Sequence, residues 1–568
     1  MAYRGVTATP RSKPSGIPFH ASFVNVAREA GLTAPVIYGD EGRADYIQES
    51  IGCGVAFIDY DNDGWQDIVV LTGQRRTGST PAEATIRLYH NNRDGTFKDV
   101  TSESGLGRSV WATGITVGDY DNDGFDDIFI TCFGQNILFR NNGKGAFTDV
   151  AKAAGLVREG THFASGCTWI DYDRDGRLDL FIGHYVVFDK DRILPRGKDP
   201  GCTFRGVEVY CGPMGLPKEP CCLYHNNGDG TFTDVSEKAG MRKPAGSYAL
   251  TAVATDFDGD GWPDIYVACD SSSSLLFVNN HDGTFTEKAL QNGLALNEDG
   301  REQAGMGLGI GDYDTDGHLD IFKTHFSFDT NALYQNRGKG IFRDVTNVAG
   351  LGVETRFVGW GAAMLDFDND GLPDLFYTTG MVSPELDSAL ADSPYKTPNV
   401  LFRNLGGGKF EELIGEPGPA MKEAHSSRGA AFGDFDNDGD IDVLIMNMNE
   451  PPSLLRNDVS GANHWVKILL VGTASNRSAI GAQVTVTYGE RKQVQAVLAQ
   501  SSYLSVNDRR LHFGLGSETS AQVEIRWPNG GVERVEKVSS NQLVTIREGS
   551  GVIRAEHFSE RSSSPSGN

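Results

Sequence analysis

The chain has 568 residues, of which 22% are charged, 39% apolar and 70 are glycine, a turn-rich globular composition and not a disordered one. Its length allows large buried cores, so internal repeats have to be sought before domains are counted by size. A formal charge of -25, from 76 acidic and 51 basic residues, argues against nucleic acid as a partner, and no apolar run is long enough for a transmembrane segment.

Residues 1–22 read as a flexible arm. Met1 to Pro18 is polar and basic rather than a hydrophobic leader, so the chain is either cytoplasmic, or secreted or periplasmic with its leader removed. Phe23-Val24-Asn25-Val26 then opens a unit that returns as Phe97-Lys98-Asp99-Val100, Phe147-Thr148-Asp149-Val150, Phe232-Thr233-Asp234-Val235 and Phe342-Arg343-Asp344-Val345. Next comes Asp59-Tyr60-Asp61-Asn62-Asp63-Gly64-Trp65-Gln66-Asp67, with aspartate at positions 1, 3, 5 and 9 and glycine at position 6. Six more copies follow, each before an apolar run. The aspartates are Asp59, Asp61, Asp63 and Asp67; Asp119, Asp121, Asp123 and Asp127; Asp171, Asp173, Asp175 and Asp179; Asp256, Asp258, Asp260 and Asp264; Asp312, Asp314, Asp316 and Asp320; Asp366, Asp368, Asp370 and Asp374; and Asp434, Asp436, Asp438 and Asp442.

Four carboxylates in one tight turn repel one another unless a cation joins them. Hard oxygen donors, with a backbone carbonyl expected from position 7 (Trp65 in the first copy), suit Ca²⁺. The glycine supplies backbone angles that other residues resist. One such loop is compatible with an ordinary Asp-rich turn; seven complete copies are not chance. Seven Ca²⁺ would move the formal charge of -25 to about -11, so the acidity is largely a property of these loops.

Each loop joins the first two strands of a four-strand unit, here Gly54–Asp59, Ile68–Leu71, Arg87–His90 and Phe97–Val100, with an Asn/Gly-rich hairpin before the last. The seventh unit lacks its fourth strand, and the missing piece stands at Phe23–Val26. A ring explains the offset, whereas a linear solenoid leaves both terminal half-units unexplained. The expected fold is all-β: a seven-bladed β-propeller over residues 23–458, its N-terminal strand closing the last blade, followed by a small β-rich domain.

Loop starts are 60, 52, 85, 56, 54 and 68 residues apart, so the long gaps mark insertions. Tyr185–Pro220 and Gly380–Pro398 both fall between second and third strands, on the side opposite the acidic loops. The loops therefore read as structural pins, and the opposite face as the variable, ligand-binding one. Just before the inner strands on that side stand Trp111, His162, Tyr248, Gln303, Arg356, His425 and Arg428, with His184 and His325 at the ends of second strands. Around a channel mouth such groups serve binding or acid–base chemistry; as strand ends they are simply hydrogen-bonded. His162, Tyr248, Arg356 and His425 are the candidate catalytic residues. Convergence of the histidines on a transition metal is not indicated, and no nucleophile elbow, HExxH, P-loop or dinucleotide fingerprint occurs in a suitable setting. Asp126 and Asp440 read as loop residues, and Trp360 and Phe367 as blade core.

Cys53, Cys132, Cys167 and Cys269 lie in expected core strands and read as buried thiols. Cys202, Cys211, Cys221 and Cys222 cluster near the first insertion and can form disulfides in an oxidising compartment. Residues 459–549 read as a second all-β domain with strands at Trp465–Leu470, Gln483–Tyr488, Val494–Leu498, Ala521–Trp527 and Leu543–Arg547. Residues 550–568 read as a disordered, Ser-rich tail.

The acidic loops, together with Asn463-His464-Trp465, Ser475-Asn476-Arg477-Ser478-Ala479-Ile480-Gly481-Ala482, Leu511-His512-Phe513-Gly514-Leu515-Gly516 and Trp527-Pro528-Asn529-Gly530, resemble FG-GAP/VCBS-repeat proteins ending in an ASPIC/UnbV domain, the cartilage acidic protein 1-like family. The resemblance spans almost the whole chain. It implies a propeller with Ca²⁺ in its loops, as in related repeats of integrin heads, and a recurrent insertion containing Cys202 and Tyr210-Cys211-Gly212-Pro213. The Cys221-Cys222 pair departs from the acidic residue expected there, which leaves its pairing open. Two functions are compatible with the family: a calcium-stabilised module binding protein or glycan through the face opposite the loops, or a Ca²⁺-dependent cyclase, isomerase or lyase acting on a small natural product or sugar at the channel mouth. Oligomeric state is not legible.

Overall fold

A computed structural model describes residues 11, 13–81, 84–189 and 193–558. Half of the expected arm, residues 1–10 and 12, and the last ten residues of the expected tail lie outside them. The first unit is an antiparallel meander of Val55–Ile58, Asp67–Val70, Arg87–Asn91 and Phe97–Asp99. Its inner strand is buried throughout, whereas its outer strand buries only Phe97. That gradient follows from position: inner strands pack between neighbours, and outer strands have one wet face.

Seven four-stranded units of this order run along the described chain, the second and third joined where Phe163 of His162–Ile170 pairs with Phe133 of Asp127–Gly134. Phe23–Asn25 completes the seventh, with Phe23 opposite Asn457. Inner strands pack in succession, and Ser427–Gly433 returns against Val55–Ile58. The all-β propeller architecture is thus present, closed by the first strand.

Asparagine fastens the ring. Each third strand ends in one: Asn91, Asn141, Asn226, Asn279, Asn336, Asn404 and Asn457. Its side-chain amide donates to a carbonyl in the preceding unit, as from Asn141 to Tyr60 O at 2.8 Å, Asn336 to Phe257 O at 2.9 Å and Asn91 across the closure to Phe435 O at 2.8 Å. Most also donate to a carbonyl of their own unit, so one small side chain satisfies backbone groups on both sides of a seam.

The insertions lie where expected. Cys202 and Cys211 form a disulfide in the first, and Cys221 and Cys222 are buried thiols where a third strand begins; Cys132, Cys167 and Cys269 are buried thiols within strands, and Cys53 is one just before the first inner strand. Two terminal readings need correction. Residues 13–22 are not a free arm: Ser15 donates to Glu411 at 2.6 Å, Arg11 pairs with Glu354 and Glu412, and Ala21 is buried, because the sixth outer strand offers carboxylates along its edge. Nor is the chain structureless from 550. Gly549, at φ 73°, turns it back, and Gly551–Glu556 pairs with Gln542–Arg547.

The C-terminal domain has two four-stranded sheets. One orders Leu511–Gly516, His464–Val471, Gln542–Arg547 and Gly551–Glu556; the other orders Arg491–Ala496, Gln483–Tyr488, Ser520–Arg526 and Val532–Ser539. Between Arg491–Ala496 and Leu511–Gly516 the chain leaves this domain and enters the propeller axis. There Val506 N donates to Val55 O at 3.0 Å, Ser502 N to Leu308 O at 2.8 Å, and Leu504 O accepts from Ile115 N at 3.2 Å. Gln500 Oε1 accepts from Cys167 N, and Ser502 Oγ from Ala362 N, both at 3.1 Å. Five inner strands therefore hydrogen-bond to one plug. Ser502 and Leu504, at φ 58° and 55°, sharpen its tip at Tyr503, whose hydroxyl reaches Ile51 O at 3.0 Å. Close approach requires glycine: a Cβ on Gly54 would lie 1.8 Å from Leu504 O. The axis is filled, and the expected channel does not run open through the ring.

Replacing Asn336 by Ala should cost about 2–4 kcal/mol, since two buried carbonyls lose their donor. Urea unfolding of the two proteins measures it; a change within error would remove asparagine as the seam fastener.

Candidate functional site: acidic loops on one face, a cavity on the other

In the first loop Asp59 Oδ1 accepts from Asp63 N and Oδ2 from Gly64 N, both at 2.9 Å. Gly64 has the expected positive φ of 87°, and Asn62 adopts 60°. Asn62 donates to Gly124 O of the next loop at 2.8 Å, as Asn122 does to Gly176 O and Asn437 to Gly64 O. Asp67 holds two backbone groups, Tyr60 N at 3.4 Å and Asn91 N at 2.8 Å, and Asp320 does the same for Tyr313 and Asn336. Position nine is therefore a strut as well as an expected ligand.

Position three behaves differently. Asp61, Asp121, Asp173 and Asp314 each keep Oδ1 buried without a hydrogen-bond partner. Asp59, Asp61 and Asp67 bring oxygens within 4.8 Å of one another, as do Asp119, Asp121 and Asp127. Burial, with nearby carboxylates, pushes the carboxyls of Asp59 and Asp119 up to about 7 and those of Asp171 and Asp312 to about 8. Orphaned oxygens and mutually destabilised charges are what a hard cation relieves, so the donor sets fit one.

The loops are not equivalent, because in four units the residue before the third-strand asparagine (His90, Arg140, His225 and Gln335) reaches back into them. His90 Nδ1 lies 3.2 Å from Asp67, His225 Nδ1 3.1 Å from Asp179, and Arg140 Nε 2.6 Å from Asp121. Sequence reading missed these neighbours, although the recurring residue-Asn pair at strand ends marks them.

The C-terminal domain docks on this acidic face. Lys467 Nζ reaches Asp434 Oδ2 at 2.6 Å with both side chains buried. Arg526 lies 3.3 Å from Asp256 Oδ2, and Val494 N donates to Asp312 Oδ2 at 3.2 Å. Gly514 abuts Asp366 so closely that a Cβ would fall 1.8 Å from Oδ2. Asp126 is a docking residue, receiving Arg509 at 2.6 Å, while Asp440 accepts from Val459 N at 2.8 Å. A cleft of about 670 Å³ remains between this domain and the first two loops.

The rim candidates occupy separate environments. His162 Nδ1 lies 2.9 Å from Glu219, which also receives Arg158 at 2.8 Å. Tyr248 is buried and donates to Leu216 O at 2.8 Å. Arg356 grips Glu354, and His425 Nδ1 lies 3.1 Å from Glu450. The hydrogen bond to Glu450 raises His425 above its ordinary range, outweighing burial, which acts to lower it. These four do not line one cavity. Arg428 is wholly buried, donates to Ser50 O at 2.7 Å and lies over the Trp360 ring at 4.1 Å. Gln303 donates to Asp329, His325 is buried, and Trp111 meets Tyr38 edge-on. Phe367 belongs to blade core as expected. Trp360 packs against Tyr503 and borders a cavity of about 240 Å³ at the axial mouth on the insertion-bearing face.

A closed ring of β units, linked through acidic loops and capped by a domain that plugs its axis, defines a repeat propeller. The FG-GAP-like repeat matches residues 59–130, 119–182, 219–267, 256–322, 312–377 and 386–445, and ASPIC and UnbV matches 472–553. The chain belongs to the FG-GAP-like repeat family and ends in an ASPIC and UnbV domain. It is 24% identical to cartilage acidic protein 1 of Homo sapiens over 84% of this chain and 69% of that one. Integrin alpha-6 of Gallus gallus is 27% identical over 31% of this chain and 17% of its own length. Among solved structures, an Agrocybe aegerita lectin recognising non-reducing terminal N-acetylglucosamine has a TM-score of 0.38 at 17% identity, covering 69% of this chain and 88% of its own. Bacillus licheniformis rhamnogalacturonan lyase has 0.36 at 12%, covering 74% of each chain.

His184 shows how burial tunes one rim group. Its ring is almost wholly enclosed, Nδ1 faces Pro220 O at 3.0 Å and Nε2 faces Arg158 at 3.1 Å, so the neutral Nδ1–H form fits both. Burial pulls it from its ordinary 6.5 down to about 4. A depressed histidine contributes stability above its unfolded value, and that contribution fades as pH falls from 6.5 toward 4. The stability gap between the protein and His184→Gln should narrow by about 2 kcal/mol from pH 7 to pH 4.5, measured by urea unfolding. A constant gap would show that His184 titrates alike in the folded and unfolded chains.

Proposed function

We propose that this protein is a calcium-stabilised interaction module that binds protein or glycan through its insertion-bearing face. The observation carrying this reading is the covered axis: the C-terminal domain occupies the acidic face and fills the ring, which leaves the opposite face, with both insertions, available to a partner. Kinship with cartilage acidic protein 1, and with integrin alpha-6 over a shorter stretch, supports an interaction role. In this reading Ca²⁺ sits in the loops and joins carboxylates that burial otherwise destabilises. Asp61, Asp121, Asp173 and Asp314, with Asp171 at position one, supply oxygens with no other hydrogen-bond partner, and the remaining positions one, five and nine complete each set. The calcium is structural, since it orders the surface on which the C-terminal domain docks. The four candidate catalytic residues serve here as rim contacts rather than as one reacting group.

Chelation with EGTA should lower the melting temperature by roughly 5–15 °C, and added Ca²⁺ should restore it. Elemental analysis of the untreated protein should find calcium; none bound, with no thermal response on addition, would remove the metal from this account. For the partner, the full chain would be screened on arrays of extracellular proteins and glycans. Replacing residues 197–215 with a short Gly/Ser loop should reduce any captured signal by about tenfold or more while leaving the calcium response intact. Signal that survives this replacement and is blocked by antibody against the C-terminal domain would put the binding surface elsewhere.

A further inference from the structure

One position sorts the acidic loops. The residue before the third-strand asparagine is histidine in the first and third units, arginine in the second, sixth and seventh, valine in the fourth and glutamine in the fifth. Arginine only donates, and Arg140 Nε meets Asp121 at 2.6 Å. Gln335 gives its Nε2 to Asp314 at 2.5 Å, while its oxygen accepts from Arg337 at 2.9 Å. In this series only imidazole offers a nitrogen lone pair to a metal.

The two histidines are placed alike. His90 Nδ1 lies 3.2 Å from Asp67 Oδ1 and 3.6 Å from Asp61 Oδ2; His225 Nδ1 lies 3.1 Å from Asp179 Oδ1 and 3.5 Å from Asp173 Oδ2. The tyrosine at position two of each loop stands edge-on to the ring, Tyr60 at 5.9 Å and Tyr172 at 6.1 Å, and fixes its plane. Adjacent ligands at right angles around an ion about 2.1–2.4 Å away stand about 3.0–3.4 Å apart, close to the spacing of these atoms.

The third loop adds an independent mark. Asp171 Oδ1, Asp173 Oδ1 and His225 Nδ1 are buried there, and none has a hydrogen-bond partner. Asp171 as a whole is only 3% exposed, so solvent does not answer its oxygen. Two anionic oxygens and a ring nitrogen without other partners make a mixed ligand set. Asp173, Asp175 and His225 each bring one ligand atom within 4.8 Å of the others, as do Asp61, Asp63 and His90.

We propose that the first and third loops bind a borderline transition ion, of the Mn²⁺ or Zn²⁺ kind, in preference to Ca²⁺, with His90 Nδ1 and His225 Nδ1 as ligands. The proposal rests on reading the acidic loops as cation sites and divides them by metal. Ca²⁺ favours oxygen donors throughout, whereas an imidazole among carboxylates shifts preference toward ions with affinity for nitrogen. The remaining ligands are the same aspartates, so the ion fastens its blade as its neighbours do. Arg140 answers Asp121 as a donor and leaves the second loop to Ca²⁺.

The test is titration of Mn²⁺ into the tag-free full chain in excess Ca²⁺, followed by electron paramagnetic resonance. Two Mn²⁺ should be taken up per chain, with about tenfold or greater preference over the other loops, and spin-echo spectra should show the nitrogen coupling of directly bound imidazole. His90→Gln and His225→Gln, which install the residue native to the fifth unit, should each remove one ion and its nitrogen coupling. Calcium chelation should still lower the melting temperature of both. Arg140→His should add a third nitrogen-coupled ion. No Mn²⁺ uptake, bound Mn²⁺ without nitrogen coupling, or uptake unchanged in the double variant would overturn the proposal and leave the histidines as hydrogen-bonding partners of the carboxylates. The coupling is read on the unaltered protein and so survives any variant that fails to fold. Nitrogen-coupled Mn²⁺ in a chain that holds no Ca²⁺ would sink only the calcium reading, whereas a thermal response to Ca²⁺ without nitrogen coupling would sink only the transition-ion sites.

Discussion

The fold depends on a carboxylate buried at the ninth position of each acidic loop. In the first unit Asp67 takes the backbone N–H of Tyr60 with one oxygen and that of Asn91 with the other. Asn91 then spends its side chain on the neighbouring unit. A charged group thus ties the start of the loop to the end of the third strand, and the amide beside it ties that strand across the seam. Such a group is costly to bury, and two backbone donors do not offset the whole penalty. The remaining oxygens of the loop lie around the same point, which is why the strut and the cation-binding geometry occur together. Stability of each unit and cohesion of the ring are, in this arrangement, the same set of bonds.

Filling the axis follows from a second backbone requirement. Inner strands leave N–H and C=O groups facing the axis, where no further strand fits. Buried without partners, they would be expensive. A hydrophobic plug would exclude water without satisfying them. The plug is instead Gln500-Ser501-Ser502-Tyr503-Leu504-Ser505, in which main chain and short hydroxyls answer the donors and acceptors around it. Gly54 and Gly307 lie where backbones come closest, so their lack of a side chain is a packing condition. The C-terminal domain accordingly belongs to the propeller core as much as to the surface.

Much of the ring was legible because its signals repeat. Aspartate spacing placed the loops, the missing seventh strand pointed to Phe23, and uneven intervals located both insertions. The plug was not legible, because Gln500–Val506 is polar and reads as an ordinary loop until the unpaired inner strands around it are known. Val532–Ser539 has valine only at every third position, between pairs of charged residues, and does not show a strand's alternation, being an edge strand with little to bury. Leu511–Gly516 stood out as a motif but not as a strand, since its glycines weaken that reading; Gly514 is there to admit Asp366. At the rim, strand polarity gave the correct side of the ring but no side-chain direction. His162, Tyr248, Arg356 and His425 therefore looked like neighbours, while Tyr185 and Tyr210, read with the insertion, border the cavity together with Phe326.

The same plug changes how the two faces relate. Separating a structural face from a binding face is reasonable for an empty ring, in which loops on one side have no route to the other. Here a continuous segment runs from Val494, whose N–H rests on Asp312, through the axis to Tyr503 against Trp360. Lys467 and Arg509 hold the same domain to Asp434 and Asp126. Whatever orders those aspartates also sets the height and tilt of the domain, and hence the position of Tyr503 behind the cavity. The acidic loops, remote from the mouth by strand polarity, are thus linked to it through packed and hydrogen-bonded chain, so the cation proposed for those loops would also hold the back wall of the cavity in place.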